Sequence, residues 1–190
     1  MPGLGTLALA AGMAMSLAGC AARPAASPAP LSDDGVVWTA VVKSELAASR
    51  AIVLYGETID ASWLRRPPHS LAFERLPSGM EHAFFAANDP GPVPIRGAFA
   101  RSDRVTLISP AEHERRMGKG DEAWSRFHAA WPGASHLVYV SRPGYDKKRT
   151  RAVVYASSHC GLRCGEGRFY LLAREEGRWR VERVENVWVS

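Results

Sequence analysis

From Arg151 to the end of the chain, apolar and polar positions alternate with a period of two. Val153 and Tyr155 alternate with Val154 and Ala156, and Phe169, Leu171 and Ala173 with Tyr170, Leu172 and Arg174. Trp179, Val181, Val187 and Val189 alternate with Arg178, Arg180 and Glu182. This period, built from β-branched and aromatic side chains, predicts strands with one wetter face. Glu175-Glu176-Gly177 supplies a hairpin turn between the last two, where glycine is free to take positive φ. Between the first two lies Cys160-Gly-Leu-Arg-Cys164-Gly-Glu-Gly167, a glycine-dense stretch suited to a tight or bulged turn.

Upstream the period becomes helical. Ser32 stands as an N-cap before Asp33 and Asp34, and Val37, Trp38, Val41, Val42 and Leu46 follow at helical spacing. They predict a helix from about Asp33 to Ser49. Ala51–Tyr55 reads as a buried strand, and Gly56–Ser70, with Arg65-Arg66-Pro67-Pro68, as mostly loop. Ser78-Gly79-Met80-Glu81 matches a capping box and predicts a helix over Gly79–Ala87. Val105–Ile108 reads as a strand. Ser109-Pro110-Ala111-Glu112 is a second capping box, whose helix stops near Gly118. Trp124, Phe127 and Trp131 predict a helix over Asp121–Trp131, and Leu137–Ser141 a strand before a polar turn, Arg142–Thr150. Helices first and strands last predict an α+β fold. Its expected form is an antiparallel C-terminal β-meander of about four strands, covered on one face by the N-terminal helices. Residues 32–190 read as a single domain.

The first 19 residues are of different material, apolar and without a charged side chain, ending in Leu17-Ala18-Gly19-Cys20. That tetrapeptide resembles the lipobox of bacterial lipoproteins, although the usual basic residue near the N-terminus is missing. The resemblance implies a signal peptide over 1–19, cleavage before Cys20 and acylation of that cysteine. Ala21 after it leans toward the outer membrane, facing the periplasm. Residues 20–31, with Pro24, Pro28 and Pro30, then form an extended tether. Lipidation of Cys20 removes one thiol from the three in the chain and leaves Cys160 and Cys164 as a pair. The net charge of +5 favours an anionic envelope polymer or an envelope protein as partner. Nucleic acid is not expected, because the arginines are interspersed with acidic residues.

A second resemblance covers about the last seventy residues. Ser141-Arg142-x-Gly144, Thr150-x-Ala152-x-Val154-Tyr155, Cys160-Gly161-x-x-Cys164-Gly165-x-Gly167, Leu171-Leu172, Gly177-x-Trp179-x-Val181 and Trp188-x-Ser190 follow Trp124, Phe127 and Pro132-Gly133. The pattern resembles a family of uncharacterised bacterial secreted and lipoprotein domains. It implies a fold and an envelope location, and no activity.

Candidate chemistry is sparse. His113-Glu114 begins like a zinc-protease helix, but Met117 stands where the second histidine is needed. Cys160 and Cys164 suit a structural disulfide. A redox pair is a further reading, and so is a metal site with His159 and with His136 or His128. Ser158 and His159 are adjacent on a strand and so point to opposite faces. Glu57 and Asp60, with Asp89 and Asp103 in loops, offer carboxylate pairs of the kind a glycosidase uses. Arg163 and Arg168 flank the cysteine turn, which reads first as a plain exposed loop and second as a cationic knob, and the tryptophans read as core. No catalytic residue, metal or cofactor is expected. The function expected is a lipid-anchored cell-envelope protein, a non-enzymatic binding or structural module. The alternative is an envelope hydrolase acting on peptidoglycan or another anionic polymer, in a cleft between helices and sheet.

Overall fold

The computed structural model describes residues 32–97, 99, 102–120 and 122–190. The signal peptide, Cys20 and the tether therefore lie outside the described residues. Ser32 is extended, and its hydroxyl accepts from the Gly35 N–H at 3.2 Å, which starts helix α1 at Asp33. α1 spans Asp33–Ala47. Beyond its far end the Arg104 guanidinium donates to the Leu46, Ser49 and Arg50 carbonyls, which satisfies backbone groups left unpaired where the helix stops.

In chain order there follow β1 (Ile52–Tyr55), two short 3₁₀ helices (Ser62–Arg65 and His69–Arg75), α2 (Met80–Asn88), β2 (Val105–Ile108), α3 (Pro110–Arg116) and α4 (Ala123–Ala130). The remainder is β3 (His136–Val140), β4 (Gly144–Tyr145), β5 (Arg151–Gly161), β6 (Cys164–Glu175) and β7 (Arg178–Val189). The Ser109 hydroxyl caps α3 by accepting from the Glu112 N–H, with Pro110 at the first helical position, as the sequence predicts. Glu176 and Gly177 both take positive φ in the turn between β6 and β7. Two local expectations fail. α2 starts at Met80 from Gly79, with no side-chain cap, so Ser78 does not form its box. The stretch read as loop, Gly56–Ser70, contains the first 3₁₀ helix and the start of the second, and Leu64 within it is buried.

The fold is α+β, but its sheet is larger than the expected meander. Seven strands run in the order β2-β1-β3-β5-β6-β7, with β4 beside β5. β1 is parallel to both β2 and β3, while β3, β5, β6 and β7 pair antiparallel. The helical segments between β1, β2 and β3 supply the crossovers that parallel neighbours require. Strands from the N-terminal half thus extend the C-terminal meander.

Helices also cover both faces rather than one. Leu54, Val138, Val154, Tyr170 and Leu172 point to the side where α1 brings Val37, Trp38, Val41 and Val42. The intervening Val153, Tyr155, Phe169 and Leu171 point to the other side, under Phe73 of the second 3₁₀ helix and Phe84 and Phe85 of α2. Farther along that second face, Val53 and Leu137 pack with Phe127 and Trp131 of the α4 segment. β5 is consequently buried on both sides through its middle, whereas β7 keeps a wetter face. Each large side chain enclosed this way, such as Phe84 or Phe169, contributes about 1.5–3 kcal/mol. Among the described residues no helix is long and apolar enough to cross a membrane.

Candidate functional site: a ring band beside the disulfide hairpin

Chemistry-bearing side chains gather on both faces near the hairpin that joins β5 to β6. Leu162 and Arg163 form its turn, Gly161 opposes Cys164, and the Cys160 and Cys164 sulfurs are bonded across it with their Cα atoms 5.1 Å apart. Arg163 is exposed at the tip. Arg168 is not: it is ion-paired with Glu166 and lies 3.8 Å from Glu45, so the two arginines do not form a knob, the second of the two readings of this turn. His159 and His136 flank the hairpin on different strands. His136 shares a shallow cleft of 240 Å³ with Ser158, Cys160 and Cys164. Among the described residues no three His, Cys, Asp or Glu side chains converge as a metal site. His128 instead stacks beside Trp124 and Phe127 on α4.

On the α1 face the polar groups are sealed in. Glu45 is 5% exposed and accepts a short hydrogen bond from the Tyr170 hydroxyl. Burial raises the Glu45 carboxyl above its usual range, against the opposing pull of Tyr170 and Arg168. Burial likewise raises Tyr170. The network fastens α1 to β6 beneath a closed surface.

On the opposite face a series of rings runs in contact. Trp63 of the first 3₁₀ helix packs edge-on against His69 (4.8 Å between centroids) and against Tyr155 (5.5 Å). The Tyr155 hydroxyl accepts from Trp188 Nε1 at 2.7 Å, and the Trp188 ring lies 5.5 Å from His159. His159 meets Tyr139 at 5.7 Å, Tyr139 meets Tyr55 at 5.1 Å, and Tyr55 meets His113 of α3 at 5.5 Å. Tyr139 and His113 also share a hydrogen bond at 3.2 Å. These rings form one continuous band across β7, β5, β3 and β1. It passes between two helical groups: Tyr155 belongs to the cluster under α2, and Tyr139 packs against the cluster under α4. Trp63 is 36% exposed, and Tyr55, His113, Tyr139, His159 and Trp188 are half-buried.

Local sequence makes the band possible. A Cβ on Gly167 would stand 2.2 Å from Trp188 Nε1 and 2.3 Å from the Tyr155 oxygen, so only glycine lets those two groups meet. An extra residue in β7 near Val187 shifts the register and brings Trp188 opposite Gly167, onto this face.

The band carries hydroxyl and ring-nitrogen groups. Burial pushes the Tyr139 and Tyr155 hydroxyls up to about 12 and holds the His113 and His159 imidazoles below their ordinary value. Burial thus favours the neutral forms of the Tyr139 and Tyr155 phenols and of the His113 and His159 imidazoles.

The carboxylates singled out from the sequence serve local structure. Asp60 accepts from the Ser62 N–H at 2.8 Å, which holds its carboxyl below the usual range, opposite to the shift a general acid needs. Asp89 pairs with Arg65 at 2.6 Å. Asp60 and Asp89 border one cleft of 290 Å³, whereas Glu57 lies on the backbone bridge to Pro94.

Ser158 and His159 do face opposite sides. The hydroxyl on the His159 side is Ser157, 3.2 Å from Nε2, which the rule that alternate strand residues share a face could have found. Ser157 is 6% exposed, and no carboxylate among the described residues hydrogen-bonds His159, so the pair lacks the orienting group and the access of a nucleophile–base device. Trp38, Trp131 and Trp179 are core, as expected, but Trp63 and Trp188 belong to the band. The sequence did not reveal the band, because its members come from six separate segments. Comparison with known proteins finds no matching family model, no matching curated protein and no matching solved structure.

Proposed function

We propose that this chain is a lipid-anchored protein of the bacterial cell envelope, held at the outer membrane and facing the periplasm, whose globular part is a non-enzymatic binding module. The observation that carries the binding reading is the band itself. It is a run of contacting rings between two helical groups, half-buried at Tyr55, His113, Tyr139, His159 and Trp188 and fully buried at Tyr155. Ligand sites characteristically combine aromatic surface with a few fixed polar groups. The Cys160–Cys164 bond supports the envelope location, because disulfides persist in oxidising compartments. The likeness of Leu17-Ala18-Gly19-Cys20 to a lipobox supplies the anchor, and membership of the secreted and lipoprotein domain family is proposed with it.

Fractionation of cells expressing the full chain tests the anchor. The wild-type chain pellets with membranes and labels with a fatty-acid analogue, and Cys20→Ala does neither. A Cys20→Ala chain that still pellets removes the lipid anchor from the reading. Cosedimentation of the detergent-solubilised chain with purified cell-wall material tests the binding function, and a chain left in the supernatant sinks it.

A further inference from the structure

We infer that the Cys160–Cys164 bond is a thiol–disulfide exchange site, opened by the thiolate of a dithiol that attacks Cys164 Sγ. The inference rests on neither the ring band nor the lipid anchor. Three observations of the β5–β6 hairpin carry it.

The first is access. Cys164 is exposed and Cys160 half-buried. The turn residues between them are exposed as well, Leu162 at 71%. Both cysteines also border the 240 Å³ cleft that His136 lines, which gives an incoming sulfur room at the bond. A disulfide closed inside a core is out of reach of an outside thiolate, whereas exposed ones are the labile ones.

The second is the difference between the two cysteines. Gly161 pairs with Cys164 and His159 with Gly165, so Cys160 is the extra residue of a bulge and has no cross-strand partner of its own. The exposed cysteine thus sits at the turn, and the half-buried one one step behind it. Exchange follows access to the attacked sulfur, so the incoming thiolate takes Cys164 and Cys160 leaves.

The third is that the hairpin is held without the bond. β5 and β6 pair from Arg151 opposite Ala173 to His159 opposite Gly165. The Gly165 carbonyl accepts from the Ser190 N–H at 2.9 Å, which ties the base of the turn to the end of β7. The cysteines are only 4 positions apart, so opening the bond frees little chain entropy. The hairpin therefore keeps its register in the reduced form and holds both thiols where the bond can close again.

The electrons balance. One thiolate of the dithiol bonds to Cys164 Sγ, the Cys160–Cys164 bond breaks, and Cys160 leaves as a thiolate that takes a proton from water. The second thiolate of the dithiol then attacks the first, now bonded to Cys164, and displaces Cys164 as a thiolate that is protonated in turn. Two electrons pass from the dithiol to the chain, and the dithiol becomes a disulfide. The same steps in reverse close the bond.

The test uses the full chain in detergent micelles, with dithiothreitol as the dithiol. Timed alkylation, followed by mass spectrometry of the peptide that holds both cysteines, reads the opening without a signal from Cys20. The folded chain is expected to open within about tenfold of the rate of the urea-unfolded chain, because the sulfur is reached without unfolding. Its circular-dichroism spectrum is expected to stay unchanged, and the bond to close again in oxidised dithiothreitol. Single-cysteine variants locate the attacked sulfur. The Cys164 thiol of Cys160→Ser is expected to react with dipyridyl disulfide at least about tenfold faster than the Cys160 thiol of Cys164→Ser. A folded chain that resists dithiothreitol while the unfolded chain opens overturns the inference and leaves the bond a staple. Opening that takes the folded spectrum with it overturns the inference too. A Cys160 thiol that reacts as fast as Cys164 overturns the choice of attacked sulfur.

Discussion

The two faces of this sheet are lined by alternate residues of the same strands, yet they are finished in different ways. On one face a single helix, α1, lays Val37, Trp38, Val41 and Val42 along Leu54, Val138, Val154 and Leu172 in one continuous core. Where that core reaches polar residues, Glu45, Tyr170 and Arg168 satisfy one another out of solvent. On the other face two helical groups divide the work, and the ring band links Tyr155 of one cluster to Tyr139, which packs against the other. The lesson is that a wide sheet covered by several short helices leaves a seam. The residues along it must tolerate partial solvent, which suits rings carrying hydroxyls and imidazoles better than aliphatic side chains. The same seam is where surface for recognition becomes available.

Substitutions that differ only in which part of this arrangement they strike should sharpen the contrast. The largest effect is expected for Phe84→Ala in the closed cluster beneath α2, where the side chain is 0% exposed. Equilibrium urea unfolding should show a loss of about 3–5 kcal/mol. Trp63→Ala, on the seam, should cost far less by the same measurement. Equal losses would mean the seam is as tightly packed as the core.

Gly167→Ala is expected next. Its Cβ would collide with Trp188 and the Tyr155 hydroxyl, and the resulting overpacking should cost about 1–3 kcal/mol and shift the tryptophan emission. A neutral result would mean that Trp188 is not seated where its hydrogen bond to Tyr155 places it. Removing the hairpin crosslink with Cys160→Ser and Cys164→Ser should cost about 2 kcal/mol, the entropy of so short a loop. Thermal unfolding with and without reductant should coincide for that variant and differ for the wild-type chain.

The smallest effect is the pH response, and its sign differs between the faces. His113 and His159 have folded values below the ordinary 6.5, so the unfolded chain takes up their protons first. Their contribution to stability is present above about 6.5 and is lost as pH falls through the folded values. Glu45 has a folded value above 4.5, so its contribution is present below 4.5 and is lost as pH rises through the folded value. His159→Gln should flatten the fall in urea midpoint below pH 6.5, and Glu45→Gln should flatten the change on the acidic side. A His159→Gln profile that keeps the wild-type slope would show that the imidazole is not buried in the folded chain.

Much of the local structure was legible along the chain. Ser32 and Ser109 cap their helices where sequence places them, because a side-chain oxygen reaches a backbone N–H only three residues away. The hairpin turn at Glu176 and Gly177, the alternation through β5, β6 and β7, and the close pairing of Cys160 with Cys164 are local in the same sense. Ser78 misled because the helix start was decided by burial of Met80 rather than by a cap. The single wetter face also misled: Val153, Val154, Tyr155 and Ala156 are all apolar, which suits a strand covered on both sides, but alternation alone does not say how many layers cover it.

The longer helices and strands, their order, the α+β class and the pairing of the two thiols could be read along the chain, since each depends on neighbours within a few positions; the short 3₁₀ helices and β4 could not. Long-range packing set β1 parallel beside β3, turned Arg168 inward to Glu45, and brought Trp63, Tyr139, His159, Trp188 and His113 into one series of contacts. Those contacts join residues tens of positions apart. They are selected by which surfaces must be buried together, and that choice is made by the whole fold at once.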